Sequence, residues 1–432
     1  MIDPVLAPVL KQAPIPSWRR MTRRTNFRLA LFALAALAVV AFTPIRTDSS
    51  RKGPSRYLYV WAGSGNDTTP GLDVVTVLDA NPSSSRYGSV LAALTVDSAG
   101  RMPHHTEFEL PAKGAFFAND FSGNKSFLID YSTPTAPRLS GRVGTVPGGY
   151  RLHSFARLAN GHVIATVQFG DSTLAGRPGM LAEFDGAGKL VRTGSARDAA
   201  FPGARIRTYA LALLPAIDRI VTTSSPMDSE LTAHVVQVWR LSDLKLLKTL
   251  PMPENGRDSS HMYPFEVRTL SDGRSALVNT YYCGFFRVTG VDTDPKIERV
   301  LTMPLPQNVG CSVPVIAGQF MVMPIAYAHR YATIDLSDPA HIREVASFPT
   351  DTSFYPHWAA ADPGSDRLVV TDQGNGRPKV ALAHFNRSTG RLSWDERFRD
   401  PGSHTPGVSY HRAKWPNGLK GMLMPHGALF VP

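Results

Sequence analysis

Short runs of apolar and β-branched residues recur along most of the chain, and each is bounded by glycine, proline, asparagine, aspartate or serine. Seven such runs begin 44–58 residues apart. Valine, isoleucine, threonine, tyrosine and phenylalanine favour strands, and the flanking residues favour tight turns. The pattern therefore predicts seven leading strands: RYLYVWAG (56–63), GAFFANDF (114–121), GHVIATVQF (161–169), DRIVTTSS (218–225), RSALVNTYY (274–282), GQFMVMPIAY (318–327) and DRLVVTDQG (366–374).

Each leading run is followed by a second strand-like run, such as DVVTVLDA or RYATIDLSD, and many are followed by a third. A meander of roughly fifty residues cannot bury its apolar face alone, so neighbouring units must pack side by side. Seven such units predict an all-β fold, a seven-bladed β-propeller over residues 57–432. A pair of smaller β-sandwich domains is the alternative architecture, but the repeats run evenly and no linker divides them.

The first 56 residues break this pattern. Residues 29–45 (LALFALAALAVVAFTPI) carry no charge and follow five arginines within residues 19–28. Such a run is short for a membrane span and long for the core of a signal peptide, and basic residues before it stay in the cytoplasm. We predict a basic cytoplasmic segment at 1–28, a helix at 29–45 that is either a signal peptide or a transmembrane anchor, and a polar linker at 46–56. Both alternatives export the propeller to the periplasm or another extracytoplasmic space.

The basic charge of the chain is concentrated in this same segment. Residues 1–56 hold ten lysines and arginines and two aspartates, which is +8 of the formal net charge of +11. The remainder is nearly neutral and offers no basic face for phosphates, so we expect no nucleic-acid partner. The chain also lacks a P-loop, a GxSxG elbow and an HExxH helix, which argues against the enzyme classes that depend on them.

One position in the repeat carries polar or reactive side chains. This position lies 13 or 14 residues before an equivalent residue near the end of each leading strand. In a propeller, equivalent positions on the innermost strands surround the central channel. Three imidazoles and a carboxylate facing one point predict a transition-metal site. In six successive units this position holds His105, His153, Tyr209, Glu266, Cys311 and His357.

Further candidate ligands lie next to this set. His104 precedes His105, and His426 lies in the closing segment MPHGALF, which either folds back over the channel mouth or caps a strand. For each histidine the alternative is a channel residue that binds no metal. A metal-binding imidazole needs an acceptor for its other ring N–H, and we expect Glu107 and the backbone at 355–356 to supply it.

The two cysteines, Cys283 and Cys311, lie in adjacent units. In an oxidising compartment they are expected to form a disulfide between those units. Two alternatives remain: Cys311 as a thiol in the channel, acting as a nucleophile or a soft metal ligand, or inert packing of both side chains.

Several of these segments resemble the selenium-binding protein and methanethiol oxidase family. The lead strand followed by DVVTVLDANPSSSRYGSV resembles the opening of the family, and HHTEFE (104–109) resembles its His-His segment. LHSFARLANGHVIAT (152–166), YPFEVRTL (263–270) and the closing PHGALF match further family segments in the same order. The family's cysteine-rich stretch is absent after the His-His pair, so selenium binding is not expected.

The resemblance implies a seven-bladed propeller with a copper site, and oxidation of a small thiol such as methanethiol by dioxygen. The residues of this chain that match the family's metal ligands are His104, His105, His153 and His426. His357 is a candidate ligand only because it occupies the repeat position. Copper is the expected cofactor, with zinc as the less favoured metal, and Glu266 and Tyr209 are the predicted proton relays. The partners expected are a small-molecule substrate and, through residues 29–45, a membrane. A metal-binding propeller without turnover and a propeller that binds a protein partner are the alternative functions.

Overall fold

A computed structural model describes residues 53–432, except 66–67, 97–101, 171–176, 228–231, 255, 257, 307–309 and 375. Within this part the chain folds into seven antiparallel sheets that follow one another along the sequence. The predicted seven-bladed propeller is therefore confirmed, and the pair of sandwiches is wrong. The predicted helix at 29–45 and most of the linker lie outside the described residues. No helix in the described part is long and apolar enough to span a membrane.

The strands are numbered in chain order, and the first three belong to a blade that the end of the chain completes. They are β1 (Tyr57–Ser64), β2 (Val74–Asp79) and β3 (Val90–Thr95). Blade 1 contains β4 (Pro103–Thr106), β5 (Ala115–Asp120), β6 (Lys125–Asp130) and β7 (Arg138–Arg142). Blade 2 contains β8 (Tyr150–Arg157), β9 (Val163–Phe169), β10 (Met180–Phe184) and β11 (Leu190–Ser195). Blade 3 contains β12 (Thr208–Leu214), β13 (Arg219–Ser224), β14 (Val235–Arg240) and β15 (Leu246–Pro251).

The second half of the ring repeats the same design. Blade 4 contains β16 (Pro264–Thr269), β17 (Ala276–Thr280), β18 (Gly284–Thr289) and β19 (Lys296–Thr302). Blade 5 contains β20 (Val315–Ala317), β21 (Phe320–Ile325), β22 (Arg330–Asp335) and β23 (Arg343–Pro349). Blade 6 contains β24 (Pro356–Ala361), β25 (Arg367–Asp372), β26 (Lys379–Phe385), β27 (Leu392–Trp394) and β28 (Val408–Ser409). The chain ends in β29 (His411–Arg412) and β30 (Gly421–Val431), and short 3-10 helices cover Pro215–Ile217, Ser259–His261 and Ala326–Ala328.

Blade 7 closes the ring by joining the two ends of the propeller. Strand β30 pairs antiparallel with β1, so the last strand of the chain is the innermost strand of the blade that β1, β2 and β3 complete. Neither sequence expectation for the closing segment is correct: it does not lie over the channel mouth and does not cap a strand. His426 instead occupies a place in β30 equivalent to those on the other innermost strands.

The apolar core lies between neighbouring blades. One cluster combines Tyr209 and Val238 of blade 3 with Val278 and Phe286 of blade 4, and all four side chains are buried. Each large apolar side chain that is removed from water in this way contributes about 1.5–3 kcal/mol. Because the apolar faces meet between the blades, the inner edges of the sheets are left to the polar residues of the channel.

Candidate metal centre

A β-bulge interrupts six of the seven innermost strands at the same place. In β4, for example, Pro103 pairs with Asp120 and Thr106 with Ala118, which leaves one extra residue on the inner strand. A bulge of this kind re-aims the side chains at its position. The bulged segments carry five of the six residues at the repeat position, all except Cys311, together with His426: 103–106, 152–155, 208–211, 264–267, 356–358 and 425–428.

Side chains of the second strand satisfy the backbone groups that the bulges leave unpaired. Asn119 Oδ1 accepts a hydrogen bond from the His105 backbone N–H at 2.6 Å, and its Nδ2 donates to the His153 carbonyl of the next blade at 3.0 Å. Thr166 accepts from the Ser154 N–H at 2.9 Å and donates to the Tyr209 carbonyl at 2.7 Å. Because buried backbone groups must be paired, these side chains fix each bulge and tie it to its neighbour.

Three imidazoles come together at the inner edges of blades 1 and 2. One ring nitrogen from each of His104, His105 and His153 lies within 4.8 Å of those of the other two. All three side chains are buried, and their Nε2 atoms have no hydrogen-bond partner among the described residues. Burial also lowers the pKa of each ring, to about 3 for His153, so the imidazoles are neutral at neutral pH. Neutral, buried imidazoles that lie this close together and keep unpartnered nitrogens fit a bound metal ion.

The ring orientations are held by groups other than those expected. His153 Nδ1 lies 2.8 Å from the Tyr209 carbonyl oxygen, to which it donates, and 3.0 Å from Ser154 Oγ. The same hydroxyl lies 3.3 Å from His105 Nδ1. A donor proton on Nδ1 leaves Nε2 of His153 with its lone pair, the tautomer that binds metal.

The expectation that Glu107 would hold an imidazole is wrong. Its carboxylate accepts hydrogen bonds from Arg157 at 2.5 and 2.7 Å and from the Phe117 N–H at 2.9 Å. The carboxylate is thereby engaged in a contact between blades 1 and 2. Ser154, which does bridge two of the rings, was not predicted, although it directly follows His153 within the bulge.

Glu266 and Tyr209 face the same cluster. Glu266 Oε1 lies 3.8 Å from His105 Nε2 and has no hydrogen-bond partner among the described residues, while Oε2 accepts from Arg268 Nη1 at 2.7 Å. Burial raises the pKa of Glu266, and the Arg268 guanidinium opposes this. The Tyr209 ring lies 3.8 Å from that of His153, and its buried hydroxyl also lacks a partner among the described residues.

His426 and His357 lie next to the cluster of His104, His105 and His153. The His426 ring centroid lies 4.1 Å from that of His104, and the Nε2 atoms of His426 and His357 are 2.8 Å apart. One of these two nitrogens must donate to the other, so either ring would have to give up this bond to bind a metal through Nε2. The structure therefore places three of the five predicted ligands in one group, with His426 beside them and His357 one ring further out.

The remaining candidates lie elsewhere. Cys283 and Cys311 form a disulfide with a Cα–Cα distance of 5.2 Å, which joins blades 4 and 5, so in this structure neither sulfur is a channel thiol. Both sulfurs are buried.

Comparisons with known proteins agree with this architecture. No protein-family model matches the chain. A methanethiol oxidase from Hyphomicrobium sp is 29% identical over 146 residues, so the match spans 32% of this chain and 32% of that protein. A solved structure of a hypothetical selenium-binding protein from Sulfolobus tokodaii has a TM-score of 0.68 at 14% identity, covering 88% of this chain and 94% of that one. The periplasmic gluconolactonase of Pseudomonas aeruginosa has a TM-score of 0.59 at 14% identity, covering 87% and 99%.

At such low identity the two solved structures establish the fold alone. The sequence match to a methanethiol oxidase points to the same family as the sequence motifs. The chain is a seven-bladed β-propeller similar to the selenium-binding protein and methanethiol oxidase family.

Proposed function

We propose that this chain binds one copper ion through His104, His105 and His153, and that it oxidises a small thiol with dioxygen. The observation that carries the proposal is the grouping of three buried imidazoles, with one nitrogen of each within 4.8 Å of those of the other two and with Nε2 atoms that lack a partner among the described residues. Imidazole donors suit copper and zinc, and the general order of divalent metal affinities favours copper. A copper ion bound there would supply one-electron chemistry between the thiol and dioxygen.

The protein groups around the cluster have defined tasks in this proposal. Ser154 and the Tyr209 carbonyl orient the rings, which the packed blades bury. In this proposal Glu266 Oε1 and the Tyr209 hydroxyl take up and return protons, and the support for this role is that each is buried near the cluster with no hydrogen-bond partner among the described residues. The overall change for methanethiol is balanced: thiol, dioxygen and water give formaldehyde, hydrogen sulfide and hydrogen peroxide.

Export of the propeller is part of the same proposal. A disulfide is typical of proteins in an oxidising compartment, and the uncharged segment at 29–45 supplies a signal peptide or an anchor. The propeller would then act in the periplasm or at the outer surface of the membrane.

The test is oxygen uptake by copper-loaded protein supplied with methanethiol, with parallel assays of peroxide and sulfide. We expect uptake that depends on both copper and thiol, with peroxide and sulfide formed in equal amounts. The His153→Ala variant and zinc-loaded protein serve as controls and should both be inactive. Bound copper without any thiol-dependent uptake would instead favour a metal-binding propeller without turnover, and absence of bound metal would favour a protein-binding propeller.

A further inference from the structure

An open recess of about 300 Å³ lies beside His357, at the inner ends of blades 4, 5 and 6. Four aromatic rings contribute to its walls, from Phe265, Tyr281, Tyr327 and Tyr355. Its inner end therefore reaches the outermost histidine of the cluster, and its mouth carries Tyr327, whose side chain is 58% exposed.

The recess lies where blade 5 departs from the pattern of the other blades. Its innermost strand, β20, has only three residues. The segment before it pairs with both neighbours. The Ser312 N–H donates to the Pro324 carbonyl of blade 5 at 3.0 Å, whereas the Val313 N–H donates to the His357 carbonyl of blade 6 at 3.0 Å and the Ala359 N–H donates to the Val313 carbonyl at 3.1 Å. At the repeat position Cys311 is bonded to Cys283, so blade 5 adds no histidine, tyrosine or carboxylate to the ring of polar side chains.

The walls are fixed by ring-to-ring packing. Tyr281 meets Phe265 edge to face at a centroid distance of 5.9 Å, and Tyr327 meets Tyr355 in the same way at 5.7 Å. Tyr281 also packs closely on Gly310, where an added Cβ would lie 3.4 Å from the ring. The recess is therefore a built aromatic site with faces and edges available to a flat ligand.

The polar groups of the recess are few and uncharged. Besides the tyrosine hydroxyls and His357, the described lining offers the Gln373 amide and the Ser312 hydroxyl. No aspartate, glutamate, lysine or arginine is among the described residues that line it. A charged ligand would lose hydration there without gaining a partner of opposite charge, so the site favours neutral molecules.

The size of the recess is informative about the ligand. A cavity of about 150 Å³ is enough to hold benzene, and this one has twice that volume. Methanethiol, with two heavy atoms, would leave most of it unfilled. We infer that the recess binds a neutral molecule built on one aromatic ring, with its polar or thiol end directed toward His357. That this molecule is the substrate rests on the proposed function, whereas its binding to the recess does not.

The experiment is calorimetric titration of the metal-free protein with benzyl alcohol, a neutral probe that dioxygen does not readily oxidise, and with benzoate as its charged counterpart. We expect saturable binding of benzyl alcohol and at least tenfold weaker binding of benzoate. Ala326→Trp, which places an indole inside the recess, should weaken benzyl alcohol binding at least tenfold. Ala340→Trp, in an outer turn of the same blade, is the matched control and should change it less than twofold.

Three results would overturn the inference: no saturable binding of benzyl alcohol, equal binding of benzoate, or unchanged binding by Ala326→Trp. If that variant does not fold, as judged by circular dichroism, Tyr327→Ala replaces it and should weaken binding several-fold. A second portion of the protein, loaded with copper and dialysed, is analysed for bound copper, and this result separates the two proposals. Probe binding without copper binding would sink the proposed function alone, and copper binding without probe binding would sink this inference alone.

Discussion

Ser154 joins two of the three clustered histidines through one hydroxyl group. It lies within hydrogen-bond reach of Nδ1 of both His153 and His105, while the Nε2 atoms of those rings have no hydrogen-bond partner among the described residues. Groups that hold the far nitrogen of a ligating imidazole set its orientation and basicity. The affinity for metal should therefore depend on a residue that never touches the metal.

Replacing Ser154 by alanine should weaken copper binding about tenfold to a hundredfold, the usual effect of losing such a partner. The measurement is a competition titration of copper against a chelator of known affinity. Thr333→Ala is the matched control, because it removes a buried hydroxyl that bonds the Gly390 carbonyl far from the cluster. Equal copper affinities of the two variants would show that the Ser154 hydroxyl does not position the rings.

The stability of the propeller should depend on pH through Asp372, which lies behind the wall of the recess. Burial raises its pKa to about 6, although the backbone N–H groups of Tyr355 and Gly374 both donate to it. The folded state thus binds this proton more tightly than the unfolded state, and stability rises as the pH falls from about 6 to about 4. Above pH 6 the buried charge costs about 3 kcal/mol, since one pKa unit corresponds to about 1.4 kcal/mol.

Asp372→Asn removes the charge and keeps one oxygen that can accept from the Tyr355 and Gly374 N–H groups, although it weakens the interaction with the Lys379 N–H. We expect it to raise the free energy of unfolding by about 2–3 kcal/mol at pH 8 and to have little effect near pH 4. Denaturant unfolding at several pH values measures this. Asp366→Asn, an exposed carboxylate of the same blade, is the control and should show no such trend. A gain in stability for Asp372→Asn that did not vary with pH would contradict the assignment.

Among the elements, the short innermost strand of blade 5 follows Cys311, which is joined by a disulfide to Cys283 of blade 4. The bond spans 28 residues of sequence and links two neighbouring sheets. Crosslinks of this span stabilise a protein mainly by restricting the unfolded chain, by about 3 kcal/mol.

The double variant Cys283→Ala with Cys311→Ala should therefore lower the free energy of unfolding by about 3 kcal/mol in denaturant titrations. Reductant provides the control, because it should destabilise the wild type and leave the double variant unchanged. Wild-type protein whose unfolding midpoint did not respond to reductant would refute this role of the bond.

Local patterns were sufficient for most elements of the fold. Turn-bounded runs such as 161–169 predicted the second strand of each blade, and counting back from them located His105, His153 and His357 on innermost strands. The role of β30 as the innermost strand of blade 7 could not be found in this way, because no inner strand precedes β1 in the sequence. Closure of the ring supplies that strand from the other end of the chain, and no local pattern records such a long-range pairing.

Over the whole molecule, radial packing converts one repeat position into a converging set of side chains. That convergence was predictable from the repeat, but the partners of each ring were not. Glu107 could equally have faced an imidazole or an arginine, and only the packing of blades 1 and 2 determines that it meets Arg157. Likewise, the contact between His357 and His426 depends on how the last blade closes.

The central claim is that the histidine cluster binds one metal ion. Its most direct test is the metal content of the purified chain from residue 46 onward, loaded separately with copper and with zinc and then dialysed. We predict one copper ion per chain, lost in His105→Ala and retained in His341→Ala, which removes an exposed histidine of blade 5. No retained metal, or copper that persists in His105→Ala, would contradict the account.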